Sequence, residues 1–277
     1  MRLKLKIHPY HRHTSIPINY AYYLSSAIYR WIEKSSSELS KALHDGYPLN
    51  TSKSNSNNSG NLKHTYKFFC FSQLFPQSST VKDRLIHIDG DAILWYIGMH
   101  IEDILKHFII GIFEKQEFFI GSPENKFYVN QVEVIPDPEW KREMKFKALS
   151  PITVSVPCGA YGNSLSFQAR YLKADDPELS SVLRKNILRR YEFLYGSIPE
   201  DNEFNVTLDE DYIKKRGGAN GVSKLITIKE GLRDETKVRG FICPLTIQGN
   251  PELIKLAYDS GLGEKGSMGF GMLEVNK

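Results

Sequence analysis

A glycine-rich stretch near the end of the sequence offers the clearest chemistry. Five glycines and Lys265 lie within residues 261–271, GLGEKGSMGFG. A glycine has no Cβ, so its backbone reaches positive φ angles and approaches a ligand closely. The N–H groups of such a loop can bind phosphate oxygens, and Lys265 would add positive charge. The candidate contact residues are Gly261, Gly263, Lys265, Gly266, Gly269, Phe270 and Gly271.

Two other interpretations of this stretch stay open at this point. Residues 261–266 fit the pattern G-x-G-x-x-G, but a dinucleotide site needs a strand before the glycines and a helix after them. Here a predicted helix precedes the glycines and a predicted strand follows, which disfavours a dinucleotide site. Alternatively, the glycines serve only to reverse the chain direction.

The first half of the sequence predicts the element order β-α-β-β-α-β. Residues 2–8 alternate in polarity, with Leu3, Leu5 and Ile7 on one face of a strand. Pro17 is predicted to open a helix. The Ser/Asn-rich residues 45–61 are predicted to form a mobile loop. The element order is that of a ferredoxin-like domain. The remaining predictions are strands at 65–72, 84–99 (with a turn at 89–91), 117–121 and 126–135, and a helix with Ile101, Leu105, Ile109 and Ile112 on one face.

The second half predicts the same plan, and two prolines in residues 136–142 are typical of a linker. We therefore predict an α+β protein of two tandem ferredoxin-like domains, residues 1–138 and 139–277. The second-half predictions are a strand over 145–157, a helix over 177–195, strands at 204–208, 223–231 and 237–249, a helix over 251–259 and a last strand over 269–275.

Several segments resemble one known family. A glycine-rich loop ending G-F-G, between the last helix and last strand of a tandem ferredoxin-like protein, resembles the signature of the RAMP superfamily of CRISPR proteins. More narrowly, the chain resembles the CRISPR repeat-processing endoribonucleases, Cas family six. Besides the loop, the resemblance includes IPINY at residues 16–20, LSPI at 149–152 and NILRRY at 186–191.

The resemblance implies a reaction and catalytic residues. The implied reaction is metal-independent cleavage of precursor CRISPR RNA within its repeats. The RNA 2′-hydroxyl attacks the adjacent phosphorus and leaves a 2′,3′-cyclic phosphate and a 5′-hydroxyl. Family members often have a helix Tyr and a His fifteen residues later, which Tyr29 and His44 match. Histidine suits proton transfer because its ordinary pKa lies near neutrality.

The third catalytic group and the wider RNA surface are less defined. The Lys that follows the His in such family members has no counterpart in residues 46–52, so Lys53 is the first candidate and Lys41 the alternative. Lys214 and Arg216 are predicted to grip an RNA backbone, although a solvated charge run fits them equally well.

Composition excludes few classes. A net charge of +4 and a pI near 8.7 favour a polyanionic partner only weakly. The three scattered cysteines do not form a metal motif or a disulfide framework. His8, His11 and His13 form a cluster, but without a nearby Cys or carboxylate we expect no metal there. No signal peptide or membrane span is predicted, so we expect a cytoplasmic protein without a cofactor.

Three functions are therefore compatible with the sequence. The first is the repeat endoribonuclease, with CRISPR repeat RNA as partner. The second is a non-catalytic RAMP subunit that binds guide RNA with other CRISPR effector proteins, because fold alone does not determine chemistry. The third, a small-molecule nucleotide enzyme, requires a dinucleotide at the glycine loop. A homodimer is compatible with each of them.

Overall fold

The computed structural model describes residues 1–45, 66–158 and 168–276. The predicted loop at residues 45–61 therefore lies outside the described residues except for residue 45. The candidate Lys53 lies outside them as well. Among those that are described, no helix combines the length and apolar character needed to cross a membrane.

The first half forms a ferredoxin-like domain around one antiparallel sheet. The strand order β3-β7-β1-β9 is the ferredoxin-like order, and β8 extends the sheet beside β9. Leu3, Leu5 and Ile7 are fully buried on one face of β1, as the alternation predicted. The elements are β1 (Arg2–Pro9), β2 (Thr14–Pro17), α1 (Ala21–Ser35), α2 (Ser37–Asp45), β3 (Phe69–Phe71), β4 (Phe75–Pro76), β5 (Ser79–Lys82), β6 (Leu85–Ile88), β7 (Ile93–Met99), α3 (Glu102–Glu114), β8 (Glu117–Phe119) and β9 (Lys126–Ile135).

The second half repeats this topology. Its four-stranded sheet has the order β13-β16-β10-β17, with α4 and α7 contributing to a second apolar core. The elements are β10 (Glu143–Ala148), β11 (Ser155–Cys158), β12 (Gln168–Tyr171), α4 (Leu179–Tyr195), β13 (Phe204–Leu208), α5 (Glu210–Lys215), α6 (Ala219–Val222), β14 (Ser223–Ile228), β15 (Thr236–Phe241), β16 (Leu245–Gly249), α7 (Pro251–Ser260), a 3₁₀ turn (Gly266–Met268) and β17 (Leu273–Val275).

The fold prediction is confirmed, whereas some element boundaries are wrong. Pro17 does not open a helix: it ends β2, which pairs with β6, and α1 begins at Ala21. The strand predicted over residues 145–157 is two strands, because Leu149–Val154 leave the sheet and Ile152 bridges to Phe241 instead. The last strand begins at Leu273 rather than 269 because the backbone at Gly269 and Gly271 is left-handed. The division at 138/139 falls between β9 and β10 and stays a prediction.

Polar groups buried between the two sheets join the domains. The buried Arg2 guanidinium of β1 donates to the carbonyls of Tyr258 and Leu273. Asp259, 1% exposed, lies 3.3 Å from His100 Nδ1 and 3.2 Å from Lys255 Nζ. Burial raises the pKa of Asp259, but the His100 hydrogen bond and the nearby positive charges outweigh this and lower the pKa to about 2. The carboxylate is therefore charged across the working pH range.

Candidate functional site

The glycine loop, residues 261–271, packs directly on β3 of the first domain. A Cβ built on Gly266 would lie 2.7 Å from the Phe69 carbonyl oxygen, and one on Gly269 would lie 2.6 Å from the Phe71 ring. Such distances do not occur for real side chains. The glycines therefore allow a backbone from one domain to contact a strand of the other without an intervening side chain.

The loop conformation also requires glycine at Gly263, where φ is +86° and a Cβ would lie 2.3 Å from the Thr153 carbonyl oxygen. Lys265 adopts a left-handed conformation with φ of 59° and is exposed. The 3₁₀ turn follows it at once. A left-handed residue followed by a helical one turns successive N–H groups to the same side, which is the geometry of an anion-binding nest.

Arg190 on α4 holds the start of this loop. Its side chain is 4% exposed and donates to the carbonyls of Gly261 at 2.6 Å and Ser260 at 3.0 Å, and to the Ser260 hydroxyl. Burial lowers the pKa of the guanidinium to about 10, so it remains charged at neutral pH. The sequence presents Arg190 as one more cation on a basic helix; the structure shows that it supports the loop.

Phe270 is also directed inward. Its side chain is 1% exposed and lies in a small apolar cluster with Ile228 and Val238. Its ring is therefore not available to stack on a base in this conformation. A contact between Phe270 and RNA remains a prediction, which in this conformation would involve its backbone.

Tyr29 and His44 come together next to the glycine loop. The two rings are edge to face, with centroids 6.0 Å apart. Helix α1 packs on the 3₁₀ turn of the loop, which brings the Ser267 side chain close to the Tyr29 hydroxyl. Burial raises the pKa of Tyr29 well above its usual value, so the phenol stays protonated. His44 is 79% exposed, and its Nδ1 lies 3.4 Å from Asp45 Oδ1.

The turn between α1 and α2 produces this pairing. The Ser36 N–H donates to the Ile32 carbonyl at the end of α1, and the Ser36 hydroxyl accepts from the Leu39 N–H at the start of α2. A single serine thus caps both helices. Because α2 folds back after this serine, His44 returns to the level of Tyr29.

Lys67 is a nearby cation that the sequence analysis missed. It is half-buried, precedes β3, and donates from Nζ to the carbonyls of Leu43 and His44 at the end of α2. In the sequence it is only one of many lysines, 23 residues after His44. No local pattern could have predicted the contact.

A cleft of about 510 Å³ lies between the domains beside these groups. Four cationic side chains line it: Arg189 and Lys265 are exposed, Lys67 is half-buried and Arg190 is buried. Glu264 also lines it, but its carboxylate accepts from the N–H and hydroxyl of Ser155. The cleft therefore offers more positive than negative charge to a ligand.

The remaining predicted residues lie apart from this cleft or outside the described residues. Lys214 on α5 pairs with Glu210 at 3.6 Å, and the Arg216 guanidinium lies 5.2 Å from the centre of the Tyr212 ring. Both cations are exposed, and their role in RNA binding stays a prediction. In the ranges that the structure describes, no group of three or more His, Cys, Asp or Glu side chains is arranged to hold a metal ion.

Two ferredoxin-like domains with a glycine-rich loop at their junction define a protein of the RAMP class. Two family models match the chain: one described as CRISPR-associated protein Cas6, N-terminal, over residues 15–133, and one described as CRISPR associated protein Cas6, C-terminal, over residues 135–275. The chain belongs to the Cas6 family.

Individual relatives agree with this assignment. The chain is 28% identical over 275 residues to the CRISPR-associated endoribonuclease Cas6 1 of Methanocaldococcus jannaschii, covering 99% of this chain and 92% of that protein. Its fold matches a Cas6-related protein from Pyrococcus furiosus with a TM-score of 0.80 and 25% identity, covering 100% and 98% of the two chains. It also matches a RAMP protein that binds different RNA substrates, with a TM-score of 0.77, 25% identity and full coverage of both chains.

Proposed function

We propose that this chain binds CRISPR repeat RNA and cleaves it without a metal ion. One observation carries the proposal: Tyr29 and His44 of the first domain lie against the glycine loop of the second, where α1 packs on the 3₁₀ turn and Ser267 is close to Tyr29. A phosphate at the loop would thus lie beside a group that can move protons. Family membership and the endoribonuclease relative support the same reaction.

In the proposed reaction, the 2′-oxygen forms a bond to the adjacent phosphorus while the bond from phosphorus to the 5′-oxygen breaks. The 2′-hydroxyl loses a proton and the leaving 5′-oxygen gains one. His44 is the proton-transfer group, because imidazole exchanges protons near neutral pH and its ring is exposed to an incoming strand.

Tyr29 has a different proposed role from His44. Its raised pKa keeps the phenol protonated, so it would donate a hydrogen bond to a phosphate oxygen and not serve as the base. Lys265 and Arg189 would supply positive charge to the phosphorane from the cleft. Lys53 remains a predicted third catalytic group.

The direct test is cleavage of a repeat RNA by purified protein in excess EDTA. We expect a 2′,3′-cyclic phosphate product, and His44→Ala to lower kcat by roughly 10²–10⁴, the usual contribution of a general acid or base. His107→Ala is the control, because His107 lies on α3 and bonds to Ser35 instead. If His44→Ala cleaves at the wild-type rate, or EDTA stops the reaction, the mechanism is wrong.

A second test addresses the nucleophile. Replacing the 2′-hydroxyl at the scissile position by hydrogen should abolish cleavage and leave binding nearly unchanged, because only the attacking oxygen is lost. Continued cleavage of the deoxy substrate would exclude the proposed attack.

A second candidate function is RNA binding without cleavage. The similarity to a RAMP protein that binds different RNA substrates favours it. In that case the chain would act with other CRISPR effector proteins or as a homodimer. A tight complex with repeat RNA that yields no product over several hours would support this candidate over the nuclease.

A further inference from the structure

The last turn of α2 is held from outside the helix. Carbonyls in the final turn of a helix have no partner within it, and the negative end of the helix favours a nearby cation. Lys67 meets both needs, because its ammonium group donates to the carbonyls of Leu43 and His44. The Leu43 side chain is fully buried in the core of the first domain. The turn that carries His44 is therefore fixed on two sides.

The contact of Lys67 also joins α2 to the segment that leads into β3. Lys67 lies two residues before β3, the strand on which the glycine loop packs. Burial lowers the pKa of Lys67, while the nearby Asp45 carboxylate opposes this shift. Through Lys67, α2 is connected to the same short segment that supports the loop and Ser267.

We propose that Lys67 is the positioning residue of the site, holding His44 at a fixed distance from Tyr29 and the glycine loop. The inference rests on the proposed function, since it assigns Lys67 a role in the reaction of His44. Lys67 acts through the backbone of α2: both of its hydrogen bonds go to carbonyl groups, and neither goes to the imidazole.

The first experiment measures kcat and KM for repeat RNA with Lys67→Met. We expect kcat to fall roughly 10–100-fold, because displacing a catalytic group by about 1 Å costs this much, with KM within about twofold of wild type. Lys34→Met is the matched control: Lys34 is an exposed cation in the last turn of the neighbouring helix α1. Lys67→Arg should recover most of kcat, since a guanidinium also donates to carbonyls.

Two results would overturn the inference. One is an unchanged kcat in Lys67→Met, and the other is a raised KM with unchanged kcat, which would make Lys67 an RNA-binding residue only. Should Lys67→Met fail to fold, judged by thermal unfolding, Lys67→Gln is measured in the same way. The neutral amide of Gln lacks the charge, and its nitrogen is one carbon closer to the backbone than Nζ, so it does not reach the two carbonyls as Lys67 does. The same two results would therefore contradict the inference.

A double-mutant cycle separates positioning from direct action on the phosphate. In a His44→Ala background, Lys67→Met should cause no further loss of kcat, because there is no imidazole left to position. A full additional loss would mean that Lys67 acts on the substrate itself. If His44→Ala is as active as wild type, the proposed function fails; if cleavage needs His44 but not Lys67, only this inference fails.

Discussion

Replacing Arg190 by methionine should destabilise the protein by about 2–4 kcal/mol. The substitution keeps much of the side-chain volume but removes the donors to the Ser260 and Gly261 carbonyls. Leaving a buried acceptor without a donor costs about 1–3 kcal/mol for each group. Burial disfavours the charged guanidinium and lowers its pKa to about 10. Removing this buried charge offsets part of the lost stability.

The assay is urea unfolding at neutral pH, followed by tryptophan fluorescence, with repeat-RNA affinity measured in parallel. Arg189→Met is the control, because Arg189 is adjacent in sequence but exposed at the cleft. It should change stability by less than about 0.5 kcal/mol. If Arg189 contacts a phosphate, this variant should also reduce the slope of log affinity against log salt by roughly 0.7.

Arg190→Met should instead weaken RNA binding by displacing the glycine loop. Native-state hydrogen exchange at residues 261–271 would detect this displacement as faster exchange than in wild type. If Arg190→Met unfolds at the same urea concentration as wild type, Arg190 does not stabilise the loop through its bonds to the Ser260 and Gly261 carbonyls. If it is destabilised while exchange in the loop is unchanged, Arg190 stabilises the core but does not position the loop.

In thermal unfolding, Gly263→Ala should destabilise the protein by at least about 2 kcal/mol more than Gly217→Ala. Both glycines have positive φ, but only at Gly263 would a Cβ meet a backbone carbonyl. Equal effects of the two substitutions would contradict this explanation. The pKa of Asp259 is lowered to about 2 in the folded protein, so folding favours the charged carboxylate. This contribution to stability is present above about pH 4 and is lost as the pH falls towards 2. The difference in unfolding free energy between wild type and Asp259→Asn should therefore shrink across that range, and a constant difference would refute it. Cys158 should react rapidly with a thiol reagent in the native protein, whereas Cys70, whose pKa burial raises to about 11, should react only on unfolding.

The sequence was sufficient to predict the two ferredoxin-like sheets because their strands have regular patterns. Three strands, β1, β9 and β13, were predicted with bounds that agree with the structure to within one residue. Errors occurred where tertiary contacts override local pattern. Ile152 looks like part of a continuous strand, but it bridges to another hairpin, and this contact is set by residues almost 90 positions later.

The candidate site was predictable only in part for the same reason. The resemblance to Cas family six suggested Tyr29 and His44 through their fifteen-residue spacing. The two side chains meet because both lie on helices joined by a short turn. The contacts of Lys67 and Arg190 join elements that are distant in sequence, and neither side chain belongs to a recognisable pattern. A lysine before a strand and an arginine in a basic run give no sign that their donors face carbonyl groups.

The packing of the glycine loop on β3 has a consequence for how this family is found in sequence. Even a methyl group at Gly266 would meet the Phe69 carbonyl oxygen of the other domain, and one at Gly269 would meet the Phe71 ring. The limit on side-chain size at these positions therefore holds irrespective of any chemistry that the loop performs. The glycine pattern reports how closely two domains must approach, and a relative that had lost catalysis while keeping this junction would retain the same signature.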